Sequence, residues 1–249
     1  MEAFGLGAFM LAACIGTVLL EHPSSPLHNA IEDAFLRRAL MGLAMGATAV
    51  LIICSPWGQR SGAHINPAVT FTYWTLGKIG GRDALFYAAA QFAGAVLGVG
   101  AAGLIAGPPL AHGAVNFAAT VPGMAGLLPA FAAEVLLSTL LMATVLAVSN
   151  HPTWFRLTPF IAGTLVALFI TFEAPVSGMS MNPARSFGSA VFSGDLAPLW
   201  IYFAAPLIGM QTGALLYKLS GPVYCAKLHH ANGRRCIFHC RFGQLISSR

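Results

Sequence analysis

The chain has 249 residues, 57% of them hydrophobic and only 8% charged, with a mean hydropathy of +0.73. A soluble domain is nearer ~45–50% apolar and about 25% charged, so this composition excludes a water-covered globular fold and indicates an integral membrane protein. The net charge of +5 is not a nucleic-acid signal, because six of the 13 Lys and Arg lie at or beyond Lys218 and the rest sit mostly in loops.

Six segments are long enough to cross ~30 Å of hydrocarbon as helices: approximately 3–20, 38–56, 83–106, 127–149, 157–174 and 198–219. The first contains Leu11-Ala12-Ala13-Cys14, similar to a bacterial lipoprotein cleavage box. Its start, Met1-Glu2-Ala3-Phe4, has no basic residue, however, and the apolar run continues to Leu20. A signal sequence carries a positive n-region and a shorter core, so the segment reads as a first transmembrane helix. An even number of spans puts both termini on one side. With that side cytoplasmic, ten Lys and Arg lie inside and three (Arg37, Arg38, Arg185) outside, the inside group including Arg60, Lys78, Arg82 and Arg156. That is a positive-inside pattern. The expected location is the cell (inner or plasma) membrane, multi-pass.

Two further apolar stretches, 67–76 and 183–192, would each be ~15 Å long as helices, half the membrane core. Each follows an Asn-Pro pair. Asn is a good N-cap, and Pro fits the first helical turn, where its missing N–H costs nothing. Each therefore reads as a loop turning into a half-helix, which must be buried in protein or line a watery cavity. The surrounding sequences, SGAHINPAVTF at 61–71 and SGMSMNPARSF at 177–187, match at six of eleven positions with a period of 116. Glu2 and Glu134 recur near the start of each half, and Tyr87–Gly94 is answered by Tyr202–Gly209. Three spans per half make the second copy enter the membrane upside down, an inverted repeat. The expected fold is an all-α membrane protein with six transmembrane helices and two re-entrant half-helices. The channel domain covers 1–220, with halves at about 1–110 and 127–220, followed by a basic tail, 221–249.

In this arrangement the two half-helix N-termini meet near the midplane. Each carries a partial positive charge and unpaired N–H groups, so the pair repels cations, including hydronium. Asn66 and Asn182 cap their own helices through the side-chain oxygen and leave amide nitrogens as donors to a passing solute. A water accepting from both interrupts a proton-conducting wire.

The paired Asn66-Pro67-Ala68 and Asn182-Pro183-Ala184 motifs, the six spans and the Ala184-Arg185-Ser186 run resemble the aquaporin (major intrinsic protein) family over roughly residues 1–219, in the form of a bacterial member with an atypical selectivity filter. That resemblance implies one pore per subunit lined by both motifs, a homotetramer, and passage of water and small neutral solutes across the bilayer. It also implies a four-residue constriction: Arg185, Met179, Ile170 and, on the second helix, Gly46 by direct spacing from Asn66, or Met45 if Ser55–Arg60 holds a one-residue insertion. Strict water channels of the family place a His and a Phe where this chain has Ile170 and Met45/Gly46, and glycerol channels carry an Asp where it has Ser186. The expectation is a passive pore for water that also admits small uncharged solutes such as glycerol and urea. Arg185 alternatively serves a structural role, snorkelling or holding a loop carbonyl.

Glu2 and Glu134 read as structural acceptors supporting the loops before the half-helices, although a transporter would use them as ion sites. Glu173 reads as interfacial near the pore mouth, His64 as a hydrogen-bonded vestibule residue, and Phe71 and Phe187 as packing residues. Small residues in Gln91–Gly98 and Gly209–Gly213 favour close helix crossings. The tail stretch CAKLHHANGRRCIFHC holds Cys225, His229, His230, Cys236, His239 and Cys240. Cys and neutral His are zinc ligands, and four could be recruited from this set, but the spacings match no standard zinc module. A disordered basic tail on anionic lipid explains Lys227, Arg234 and Arg235 as well. No metal or cofactor is assigned. The rival function is an ion-coupled secondary transporter, which shares inverted repeats and broken helices but wants a titratable group at the midplane. An enzyme lacks support, since the membrane domain offers no nucleophile–base pair.

Overall fold

The computed structural model describes residues 1–230 and 236–247, and every regular element among them is helical. Arg234, Arg235 and Arg249, counted above for orientation and lipid contact, lie outside the described residues. In chain order the principal helices are α1 (Glu2–Glu21), α2 (Ala34–Cys54), α3 (Pro67–Thr75), α4 (Gly81–Ala106), α5 (Leu127–Ser149), α6 (Thr158–Ser177), α7 (Pro183–Ser193) and α8 (Leu199–Lys218). Six of them are long and apolar enough to cross a membrane. The other two, α3 and α7 with 9 and 11 residues, are the half-length pair. Helix α2 starts earlier than expected because Asp33 caps it, its Oδ1 accepting from Phe35 N at 2.7 Å and Leu36 N at 3.0 Å.

The packing follows the repeat. Helix α1 lies on α4, its counterpart α5 lies on α8, and α2 and α6 pair with each other across the pseudo-twofold. Small residues permit these approaches. A Cβ on Gly94 would stand 2.1 Å from Ala3 O and one on Gly98 2.3 Å from Gly7 O. In the second half the same steps recur, with Gly209 meeting Val135 O at 2.4 Å and Gly213 meeting Thr139 O at 2.5 Å. At the α2–α6 crossing, Gly46 and Gly163 face each other, each added Cβ falling within 2.7 Å of the other's carbonyl oxygen.

The tail corrects one expectation. Far from lying disordered on lipid, its described residues fold back onto the helices and end in a short helix, α9 (Phe242–Ser247). Ala226, Leu228 and Phe238 join the apolar cluster that holds Val69 and Tyr73 of α3 and Met142 of α5. Even Lys227 is only 6% exposed.

Candidate transport pore

Each half-helix starts at its Asn. Asn66 Oδ1 accepts from Ala68 N at 2.9 Å, while Asn182 Oδ1 accepts from Ala184 N at 3.1 Å and Arg185 N at 3.3 Å. The amide groups then cross over. Asn66 Nδ2 donates to Met181 O at 2.7 Å, and Asn182 Nδ2 donates to Ile65 O at 2.8 Å. Each Asn is thus tied to the residue preceding the other, which locks the two helix N-termini face to face. One of the two hydrogens on each amide is consumed in this clasp, so one remains for a solute.

The loops before the half-helices are duplicates in backbone as well as sequence. Gly62, Ala63 and Ile65 have φ of +92°, +54° and +39°, and Gly178, Met179 and Met181 have +79°, +50° and +53°. A non-Gly residue in this left-handed region costs of order 1–3 kcal/mol, so the conformation must be held from outside. Glu2 and Glu134 hold it. Glu2 accepts from Ser61 Oγ and Ile65 N at 2.6 Å each and from Gln91 Nε2 at 2.8 Å. Glu134 accepts from Ser180 N and Met181 N at 2.7 Å and from Ser177 Oγ at 2.8 Å. Tyr87 donates to Ser61 O, and its counterpart Tyr202 to Ser177 O. Glu173 shares Ser177 Oγ at 3.0 Å and is part of this support.

A cavity of about 550 Å³ runs past both asparagines. At one mouth, the Arg185 side, it is bordered by Glu21 and Arg38. Arg185, Met179, Ile170 and Met45 all line it further in. Gly46, the alternative to Met45, does not line it: it is turned to Gly163, where a Cβ would stand 2.5 Å from the carbonyl oxygen. Of the two alternatives the cavity thus takes Met45, and the short helix Pro56–Ser61 lies in the stretch where the one-residue insertion would fall. Arg185 Nη1 is buried without a hydrogen-bond partner, and no side-chain bond from this guanidinium occurs among the described residues.

Among the lining residues that the sequence reading does not name, three places matter most. Val166 lines it one helical turn before Ile170, a neighbour that i−4 spacing could have flagged. The uncharged 107–126 connection folds over the Arg185-side mouth, contributing Asn116 and Ala118, and is pinned to α7 by Thr120 Oγ1···Ser186 Oγ at 2.6 Å. The third is Leu228 of the tail, at the opposite mouth with His64.

On this tail side, His64 is 2% exposed. Its Nε2 bonds Ala226 O at 2.9 Å and its Nδ1 faces Thr70 Oγ1 at 3.0 Å. Its ring is stacked between Tyr73 and Phe238, with centroids 5.1 Å and 5.5 Å away. Leu228 N donates to Gly62 O at 3.2 Å, and His239 N to Lys78 O at 3.0 Å. Burial, with the nearby Arg241 charge adding to it, lowers the Lys78 ammonium below its ordinary range. Phe187 packs edge-on against Phe92, and Phe71 against Trp74, both outside the cavity lining.

The model of the Major intrinsic protein family matches residues 2–217. The chain is 37% identical over 155 residues to aquaporin AqpM of Methanothermobacter marburgensis, covering 59% of this chain and 60% of that protein. It is 32% identical over 193 residues to aquaporin NIP1-1 of Zea mays, covering 77% and 63%. The chain thus spans less than two thirds of the length of these curated relatives. Among solved structures, the aquaglyceroporin from Plasmodium falciparum superposes with a TM-score of 0.68 over 87% of this chain and 92% of the other, at 19% identity.

Proposed function

Because the chain belongs to the major intrinsic protein family, we propose that it is a passive transmembrane channel for water and small uncharged solutes. The observation that carries this reading is the crossed Asn66–Asn182 clasp, which holds two half-helix N-termini against one cavity. Each N-terminus amounts to roughly half a positive charge, and an intramembrane arginine adds a whole one, a combination that excludes protons and cations while neutral solutes pass. Water at the clasp accepts the free amide hydrogen of each asparagine, so its own protons point away from the centre on both sides.

Arg185, Met179, Ile170 and Met45 form the selectivity constriction in this reading. The unpartnered Nη1 is free to donate to a solute oxygen, while the other three residues offer no hydrogen bond. Such a wall favours solutes with one polar edge and an apolar backbone over water alone. Glu2 and Glu134 are loop supports, for which their full sets of hydrogen bonds leave no need of transport chemistry. The tail side is cytoplasmic, both termini lie there, and the subunits assemble as a homotetramer in the cell membrane. An ion-coupled carrier is less well supported, because neither asparagine at the clasp can titrate. Catalysis plays no part in this reading.

Osmotic swelling of vesicles holding the full chain tests the proposal. Fast water entry accompanied by glycerol or urea entry is expected. Water flux alone would remove the solute arm, and no flux above that of protein-free vesicles would remove the channel itself.

A further inference from the structure

Of the six Cys and His residues in the tail, the fold brings four together. The ligand atoms of Cys225, His230, Cys236 and Cys240 all lie within 4.8 Å of one another. Cys225 Sγ and Cys236 Sγ are 3.5 Å apart, and His230 Nε2 is 3.3 Å from Cys240 Sγ. A tetrahedral zinc site of three Cys and one His, with Zn–S near 2.3 Å and Zn–N near 2.0 Å, sets its donors about 3.5–3.8 Å apart, so the widest pairs here would close by about 1 Å around an ion. The other two candidates are turned elsewhere: His239 Nδ1 bonds Gly77 O at 3.0 Å, and His229 is outside the cluster.

The backbone also supports negative charge at the cluster. Cys240 Sγ accepts from the N–H of Phe242, two residues on, at 3.5 Å. Outer-shell donors of this kind orient and stabilise metal-bound ligands. The His230 ring is fixed in the same way, stacked on Phe242 at 3.9 Å and 3°. Three thiolates and Zn²⁺ carry a net charge of about −1, and Lys227 and Lys78 lie within Coulombic reach of the sulfurs. This accounts for a lysine buried to 6% exposure. Cys-rich sites with one His favour zinc over harder cations.

The four ligands also bracket the residues that meet the pore. Between Cys225 and His230 lie Ala226, which accepts from His64, and Leu228, which lines the cavity and donates to Gly62 O. Between Cys236 and Cys240 lies Phe238, stacked on His64. An ion at the cluster would therefore clamp the bases of two loops whose tips press on the first Asn-Pro loop.

We propose that Cys225, His230, Cys236 and Cys240 bind one Zn²⁺, and that this ion holds the tail as a plug in the tail-side mouth of the pore. The plug rests on the channel reading; the zinc site does not. Binding draws the three thiols into thiolate form and releases their protons to solvent.

The test starts with the full chain purified in detergent. Elemental analysis should find one zinc per chain, and cobalt substitution should give the absorption of a thiolate-rich tetrahedral site. Cys236→Ser/Cys240→Ser should lower zinc affinity by more than the roughly 10–100-fold that loss of an outer-shell partner costs. No retained zinc together with no cobalt–thiolate band, or a Cys225–Cys236 disulfide in freshly isolated protein, would overturn the site. The plug is read separately. Stripping zinc from the wild-type chain should raise hydrogen exchange at the Leu228 amide and speed water efflux from vesicles, both reversed by zinc, whereas the double variant should be fast from the start. Unchanged exchange and flux after zinc is stripped would overturn the plug. Raised exchange with no water flux in any state would uphold zinc control of the tail and overturn the channel reading instead.

Discussion

The two mouths of the cavity are built from inverted copies of one loop, yet they end differently. Behind Met179 and Met181, Glu134 holds two backbone N–H groups, Arg185 stands unpaired, and the mouth is bordered by Glu21 and Arg38. Behind Ala63 and Ile65, Glu2 holds one backbone N–H, no arginine follows the motif, and the mouth is covered by Ala226, Leu228 and Phe238. The duplicated scaffold places the cavity, and the residues laid on each copy decide how each end is closed.

The largest effect should come from breaking the supports. Glu134→Ala leaves Ser180 N and Met181 N without their acceptor, while Ser177 Oγ keeps Glu173, at about 1–3 kcal/mol for each buried group. Glu2→Ala frees one backbone N–H, that of Ile65, and the Ser61 hydroxyl, which unlike an amide can rotate to another acceptor, and should cost less. Thermal unfolding of the purified variants would measure the gap, and equal losses would deny the inequality between the halves.

Next in size is the difference between neighbours on α2. Gly46→Ala drives a methyl toward Gly163 O, and overpacking of this kind costs about 1–3 kcal/mol. Its melting temperature should fall while solute selectivity stays. Met45→Ala should instead widen the lining and raise glycerol permeability, with Met45→Leu near wild type. Faster glycerol entry in the Gly46 variant would return that residue to the pore.

Arg185→Val removes the only charge in either Asn-Pro copy. Each ~1.4 kcal/mol taken off a permeation barrier is tenfold in rate, so a proton leak about tenfold or more above wild type is expected from a pH-jump assay on vesicles. A wild-type leak would reduce Arg185 to a structural charge. The smallest change should follow Phe238→Leu, which keeps an apolar side chain in this buried position and removes the ring stacked on His64, worth ~0.5–1.5 kcal/mol beyond area burial. Hydrogen exchange at the Leu228 amide should rise by roughly 2–10-fold, and protection equal to wild type would show that the stack does not hold the cap.

The legible parts of this molecule were those written twice. Asn66 and Asn182, the half-length helices, Glu2 with Glu134, and Gly94 with Gly209 each announce themselves through a counterpart, so period and spacing sufficed. Met45 was ambiguous because the one-turn helix Pro56–Ser61 intervenes with no clear signature in spacing. The tail has no counterpart in the first half and no apolar period. Its cluster joins ligands from two segments, Cys225–His230 and Cys236–Cys240, whose meeting depends on docking against Gly62, His64 and Asn150. Tertiary contacts of that kind leave no trace in local sequence.

The central claim, a passive pore that passes neutral solutes and stops protons, is tested most directly by stopped-flow light scattering and proton flux on the same vesicles, with zinc chelated to free the tail-side mouth. Water permeability well above that of protein-free vesicles, with proton conductance at their level, is the predicted result. Solute entry that requires an ion gradient, or protons that flow alongside water, would contradict it.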